Sequence, residues 1–137
     1  MLVVDASIIL AWLLTEARAG EAEAVLRRTA SEVVWTPAIC WLEVGNALRT
    51  GMRRGQIDAA FRDASVGRMR VLGLLSDRNI EPGGATLDII LSLSDRFGLT
   101  TYDAAYLELA LRLGADLATF DDALAAAARQ AGVPVVP

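Results

Sequence analysis

The 137-residue sequence contains no histidine, and its 13 basic residues are all arginine. Without histidine, Ser-His-Asp and Cys-His nucleophilic catalysis are excluded, as is histidine ligation of zinc. Without lysine there is no phosphate-binding loop of the G-x-x-x-x-G-K-[ST] type and no Schiff-base chemistry. The single cysteine, Cys40, permits neither an intrachain disulfide nor a thiolate zinc site. No G-x-G-x-x-G follows a strand-like run. No apolar run approaches the roughly 18 residues of a membrane span. Val3 and Val4 are followed at once by Asp5, unlike the basic start and longer apolar stretch of a signal peptide. The cytoplasm is therefore the expected compartment. What remains for chemistry is carboxylates, hydroxyls and arginines.

What is present is apolar and mildly acidic. The length suits one domain spanning residues 1–137, able to bury a continuous core without disulfides or a structural metal. Apolar residues make up 54% of the chain, above the roughly 45–50% of average domains, which leaves apolar surface for a partner. The net charge of -4 is the wrong sign for a general nucleic-acid coat protein. It is compatible with a nuclease whose carboxylates are offset by a bound metal.

Short apolar runs alternate with amphipathic stretches. Leu2–Val4 reads as a buried strand, and Ser7 as the cap of a helix over Ile8–Leu14. Helices are also expected over Gly20–Ala30, Pro37–Arg54, Asp58–Leu75, Thr86–Phe97, Thr101–Leu113 and Asp121–Ala131. Strands are expected over Glu32–Trp35, Asn79–Glu81, Asp116–Phe120 and Val133–Val136, with Pro82-Gly83-Gly84 as a turn. Strands alternating with helices imply an α/β/α sandwich around a short parallel sheet.

That architecture gives four carboxylates a common address, because ligands in open parallel sheets bind at the carboxyl ends of the strands. Asp5 and Asp121 each lie just past a strand, and Asp103 lies in the first turn of a helix that begins at the same edge. Glu43 lies inside the Pro37–Arg54 helix, on a face with Ile39, Cys40, Asn46, Ala47 and Thr50, while Trp41, Leu48 and Met52 occupy the other side. A helix apolar nearly all round should be buried, and a charged Glu within it needs a partner. No basic residue shares its face nearby, so a metal ion is the candidate. Each acid alone also has a structural reading. Asp5 could end a strand and cap a helix, Asp103 and Asp121 could serve as first-turn acids, and Glu43 could face solvent if the helix rolls. Together they suit a hard divalent cation with oxygen ligands, which can activate water for attack on a phosphodiester without any histidine.

Four segments carry a resemblance to a known family. They are Val3-Val4-Asp5-Ala6-Ser7, the stretch Pro37–Leu48 with Glu43 and Asn46, Leu99-Thr-Thr-Tyr-Asp-Ala-Ala-Tyr-Leu-Glu-Leu-Ala110, and Leu117-Ala-Thr-Phe-Asp-Asp-Ala-Leu124. In this order they resemble the PIN-domain family, most closely the VapC-type toxins of toxin–antitoxin pairs. The resemblance implies a Mg²⁺-dependent (or Mn²⁺-dependent) endoribonuclease acting on RNA such as tRNA or rRNA. It implies Asp5, Glu43 and Asp103 as core acids and Asp121 as the fourth and most variable one, with Asp122 beside it as a competitor. Ser7, Thr119 and Asn46 match supporting polar positions. A homodimer and a small cognate antitoxin are the implied partners.

Other readings compete: a phosphohydrolase or DNA nuclease, a receiver-like acidic pocket (which would need a lysine), and an interaction module whose acids only cap helices. Arg49, Arg53 and Arg54 crowd the end of the Glu43 helix, either as favourable charges at a helix C-terminus or as a phosphate track. Ile9, Trp12 and Leu13 mark a second apolar helix. With the Glu43 helix it is expected to form a groove for an antitoxin segment that includes Trp12 and Trp41, unless both tryptophans are core.

Overall fold

The computed structural model describes residues 1–14, 18–80 and 84–137. Its centre is an all-parallel sheet of five strands in the order β3-β2-β1-β4-β5. These are β1 (Leu2–Val4), β2 (Val34–Pro37), β3 (Leu75–Asp77), β4 (Asp116–Ala118) and β5 (Val135–Val136). Seven helices accompany them among the described residues: α1 (Ala6–Leu13), α2 (Ala19–Arg28), α3 (Ile39–Arg53), α4 (Ala59–Val71), α5 (Ala85–Phe97), α6 (Thr101–Leu113) and α7 (Asp122–Gln130). Leu2, Val3 and Val4 are all fully buried. Successive strand residues point to opposite faces, so both faces of β1 are covered and the layering is α/β/α as expected.

The strand order places the functional edge. From β1 the chain steps to β2 and β3 on one side, and it returns to pair β4 on the other side of β1 (Leu2 with Asp116, Val4 with Ala118). The order reverses between β1 and β4, the position at which open parallel sheets generally bind ligands, beyond the carboxyl ends of the strands. Asp5 and Thr119 are the first residues past those two strands.

Helix α6 holds the centre. Every residue from Ala104 to Ala110 is buried, and the helix packs against β1, β2 and β4. Its polar member, Glu108, is only 4% exposed. It is neutralised by Arg112 one turn later (Nε to Oε1, 2.8 Å), which also reaches Asp77 at the end of β3 (2.7 Å). A buried carboxylate is tolerated when so paired. At the other end of the sheet, Arg28 bridges Glu32 (2.6 Å) and Asp116 (2.8 Å) and so ties α2 to β4.

Strands β4 and β5 are shorter than expected, β4 ending at Ala118 rather than Phe120, so that Asp121 lies three residues past it, and β5 beginning at Val135 rather than Val133. Three further departures have a clear local cause. Pro37 ends β2, paired with Asp77, and α3 starts at Ile39. A residue preceding proline is pushed toward extended backbone, so Thr36 keeps the strand running where a helix start was expected. The third strand is Leu75–Asp77, not Asn79–Glu81. Helix α4 ends at Val71, and Gly73 turns the chain in the left-handed region (φ 67°), although the apolar run continues to Leu75. Asn79 and Ile80 carry no strand, while Glu81 and the expected turn residues Pro82 and Gly83 lie outside the described residues. Finally, α1 is capped by Asp5, whose side chain accepts from the Ile8 N–H, so Ser7 lies inside the helix rather than capping it. No described helix is long and apolar enough to cross a membrane.

Arg112→Met leaves Glu108 buried without a partner and is expected to cost about 3 kcal/mol of stability in urea unfolding. Replacing the pair together (Glu108→Leu with Arg112→Met) is expected to restore most of that loss. A single variant as stable as the parent would remove the pair from the account of the fold.

Candidate active site

Asp5 is the organising residue. Its side chain closes the first turn of α1 (Ile8 N–H to Oδ1, 3.1 Å) and collects two hydroxyls: Ser7 on Oδ1 at 2.6 Å and Thr119 on Oδ2 at 2.5 Å. Each hydroxyl is itself held from behind. Ser7 Oγ accepts from the Phe120 N–H and Thr119 Oγ1 from the Asp121 N–H, both at 2.9 Å. With one lone pair of each hydroxyl engaged by the backbone, its proton is directed at the carboxylate. The loops after β1 and β4 are thereby locked across the switch point. The Asp5 N–H bonded to the Ala118 carbonyl at 3.1 Å completes the clamp. Ser7 and Thr119, expected as supporting hydroxyls, both contact Asp5.

Asp5 is 5% exposed, and burial raises its pKa from 3.8 to about 6, against the lowering effect of its hydroxyl and backbone donors. Among the described residues no cation offsets the charge: Arg18, stacked 3.9 Å over the Phe120 ring, is paired with Glu21 at 2.6 Å. Glu43 is in the same condition to a lesser degree. Burial pushes its pKa up, the Tyr106 hydroxyl lowers it, and the Asp103 charge pushes it up further. Cys40, one turn before Glu43, feels the charges of both Glu43 and Asp5, and its thiol is pushed up to about 11, chiefly by burial. Three of the expected acids thus share one electrostatic neighbourhood.

They do not share one coordination sphere. Among the described residues no three His, Cys, Asp or Glu side chains close on a single metal-sized position. Each acid is engaged elsewhere. Glu43 Oε2 accepts from the Tyr106 hydroxyl, and Asp103 Oδ2 accepts from Thr100 at 2.6 Å while its N–H donates back to Thr100 at 3.1 Å. Asp121 caps α7 by accepting the Leu124 N–H at 2.7 Å, and Asp122 beside it is exposed in the first turn. The donor chemistry nevertheless fits a hard divalent cation. The acceptors are carboxylate and hydroxyl oxygens, two of the carboxylates are raised by burial, and no arginine neutralises them.

Helix α3 is not buried all round as its composition suggests. Cys40, Val44 and Leu48 face the core, while Leu42, Gly45, Asn46 and Arg49 are exposed and Glu43 is half-buried at the margin. Glu43 therefore finds a neutral partner, Tyr106, where the sequence offered only a metal. Asn46 makes no side-chain hydrogen bond among the described residues. Arg49 and Arg53 line a depression with Met52, Arg62 and Val66 on the α4 side of the helix, away from Glu43, and Arg54 is exposed beyond them.

The two tryptophans separate. Trp12 packs α1 on α2, its indole N–H donating to the Ala22 carbonyl at 2.7 Å, and Ile9 and Leu13 are core, so the expected groove residues on α1 are not in a groove. Trp41 does line one, an apolar space of about 420 Å³ between α3 and α4 with Leu48, Val66, Met69 and Leu74. Tyr106 and Thr100, the hydroxyl partners of Glu43 and Asp103, were not among the expected site residues. The signal was available for Tyr106: a phenol in an otherwise apolar helical run needs a hydrogen-bond partner, and it lies one turn after Asp103.

A PIN-domain family model matches residues 2–130. Comparison with curated proteins finds no match. Solved structures with the same fold include PAE2754 from Pyrobaculum aerophilum, at 25% identity and TM-score 0.74 over 98% of this chain and 88% of that one. The Mycobacterium tuberculosis toxin VapC20, which cleaves the sarcin–ricin loop, aligns over the whole of both chains at 20% identity and TM-score 0.66. FitAcB from Neisseria gonorrhoeae aligns over 100% of this chain and 97% of that one, at 20% identity and TM-score 0.69.

The raised pKa of Asp5 has a definite consequence for stability. The folded state holds the proton more tightly than the unfolded chain, so this contribution is fully present below pH 3.8 and is lost as pH rises through about 6. A shift of about two units corresponds to roughly 3 kcal/mol. In EDTA, Asp5→Asn is expected to melt higher than the parent at pH 7–8 and at nearly the same temperature at pH 4. Parallel melting curves across that range would show that Asp5 is not held against its charge.

Proposed function

The chain is a member of the PIN-domain family of nucleases, and from that premise we propose that it is a metal-dependent endoribonuclease, the toxin of a toxin–antitoxin pair. The observation that carries the reading is the buried Asp5 carboxylate at the β1–β4 switch point, held by two hydroxyls and one amide with no cation among the described residues to neutralise it. A site that keeps a destabilising charge at the carboxyl ends of the central strands is suited to a cation and its anionic ligand.

In this reading Asp5, Glu43 and Asp103 hold Mg²⁺ (or Mn²⁺), with Asp121 as the fourth and least committed ligand. A divalent ion supplies a Lewis acid for a phosphate oxygen and acidifies water, which a chain without histidine otherwise lacks. The residues of the chain do the rest. Ser7 and Thr119 orient Asp5, and Thr100 fixes Asp103 on the first turn of α6. Asn46, exposed on the face of α3 near Glu43, is available to the substrate. Arg49, Arg53 and Arg54 form no salt bridge among the described residues and are assigned to phosphates of an RNA substrate away from the cut. The α3–α4 groove beside Trp41 is assigned to an antitoxin segment. A homodimer would use other apolar surface, where Ile89, Leu91 and Tyr102 are exposed. RNA rather than DNA as substrate, with tRNA or rRNA as its class, rests on the family resemblance and on the cleavage of the sarcin–ricin loop by VapC20.

Cleavage of an RNA oligonucleotide is expected to stop in EDTA and return with Mg²⁺ or Mn²⁺, with a matched DNA oligonucleotide left intact. Asp5→Asn and Asp103→Asn should each lower the rate by at least about 100-fold, the scale of losing a principal electrostatic contributor, with Asp121→Asn milder. Full activity in EDTA would overturn the mechanism, and a wild-type rate in Asp5→Asn would overturn the site.

The arginines make a separate expectation. Replacing Arg49, Arg53 and Arg54 together should weaken RNA binding and flatten its salt dependence by about 0.7 in slope per lost phosphate contact on a single strand. An unchanged slope returns them to their role as cations at the end of α3.

A further inference from the structure

Glu43 reaches the site from the side, on a helix that contributes none of the other proposed ligands, and it is half-buried. Among the described residues a single hydrogen bond fixes its carboxylate, and the donor is Tyr106. The Tyr106 side chain is 1% exposed within the densest part of the core, so its ring has little freedom to follow a moving partner. Its hydroxyl lies between Glu43 and Cys40, which stand one turn apart on α3. Tyr106 is also one turn after Asp103 on α6, so both residues face the same side of that helix. A phenol buried here could be satisfied by a backbone carbonyl. That it instead binds a carboxylate on another helix ties the position of Glu43 to the core.

We propose that Tyr106 is a positioning residue that holds Glu43 Oε2, leaving Oε1 as the oxygen offered to a divalent ion, and thereby sets the metal affinity of the site. In this arrangement α6 presents one ligand, Asp103, and orients a second, Glu43. The inference rests on the assignment of Glu43 as a ligand. Partners that orient metal ligands typically contribute about 10–100-fold to metal affinity.

The test measures Mn²⁺ binding by calorimetry, without RNA. Tyr106→Phe keeps the ring and removes the hydroxyl, and it is expected to bind Mn²⁺ at least about 10-fold more weakly than wild type. In a Glu43→Gln background, Tyr106→Phe should change the affinity no further, whereas a purely structural tyrosine would lower melting temperature equally in both backgrounds and leave Mn²⁺ affinity alone. Should Tyr106→Phe fail to fold, Tyr102→Phe provides a second readout. The chain has two tyrosines, so Tyr106 is then the only one. The tyrosine Raman doublet of that protein should report a strong donor that weakens when Mn²⁺ is added. Equal Mn²⁺ affinities, or a doublet unmoved by saturating Mn²⁺, would overturn the role of Tyr106 alone. A wild-type protein that binds no Mn²⁺ would overturn it together with the metal reading of the acids.

Discussion

The clamp on Asp5 is the interaction on which the rest of the site depends. A carboxylate placed past the central strand could have been left to solvent, as Asp121 and Asp122 are. Instead it is buried and satisfied by donors that also join two loops far apart in sequence. The first turn of α1 supplies Ser7 and the Ile8 N–H, and the loop after β4 supplies Thr119. Because Phe120 and Asp121 donate back to the same hydroxyls, the network is closed: loss of one member misdirects the others. The charge at its centre is therefore held in place by geometry and raised in energy by burial. These are the two conditions under which a carboxylate is set apart from the ordinary acids of a surface.

Around that clamp the other acids are arranged at increasing distance from the core. Glu43 is half-buried and tied to Tyr106. Asp103 is held by its own cap, Thr100, and Asp121 is an exposed helix cap. Among the described residues no three of them close on one point. The same side chains can serve as caps and as ligands. For Asp5, Asp103 and Asp121 the structural and functional readings coexist in one residue.

The fold was legible from punctuation and pattern. Glycines at 98 and 114, both in the left-handed region, end α5 and α6 where the periodicity stops. The apolar run at Leu2–Val4 read correctly as a buried strand, and the strand expected over Asp116–Phe120 is present over Asp116–Ala118. The reading failed where one residue type serves two elements. Pro37 fits both a strand end and a helix start, and the apolar run through Leu75 fits both a helix tail and an edge strand. Pairing decided both cases, because β2 and β3 hydrogen-bond over Trp35–Pro37 and Leu75–Asp77. The face of α3 was misread for a similar reason. Its apolar residues surround the axis, but α4 packs on it loosely and leaves a groove at Trp41 and Leu48.

By itself the sequence determined the chemistry that was available. With no histidine, no lysine and one cysteine, only oxygen ligands could build a site. Spacing along an alternating α/β pattern put Asp5, Asp103 and Asp121 near one edge of a parallel sheet. Only the tertiary structure decided what each acid touches. That Phe120 holds Ser7 as a donor to Asp5, that Thr119 meets Asp5 from 114 residues away, and that Glu43 is met by a phenol on α6 are all contacts between distant segments. Local sequence sets backbone propensity and the order of donors and acceptors. Which donor meets which acceptor is set by strand order and helix placement, and no window of neighbouring residues contains those.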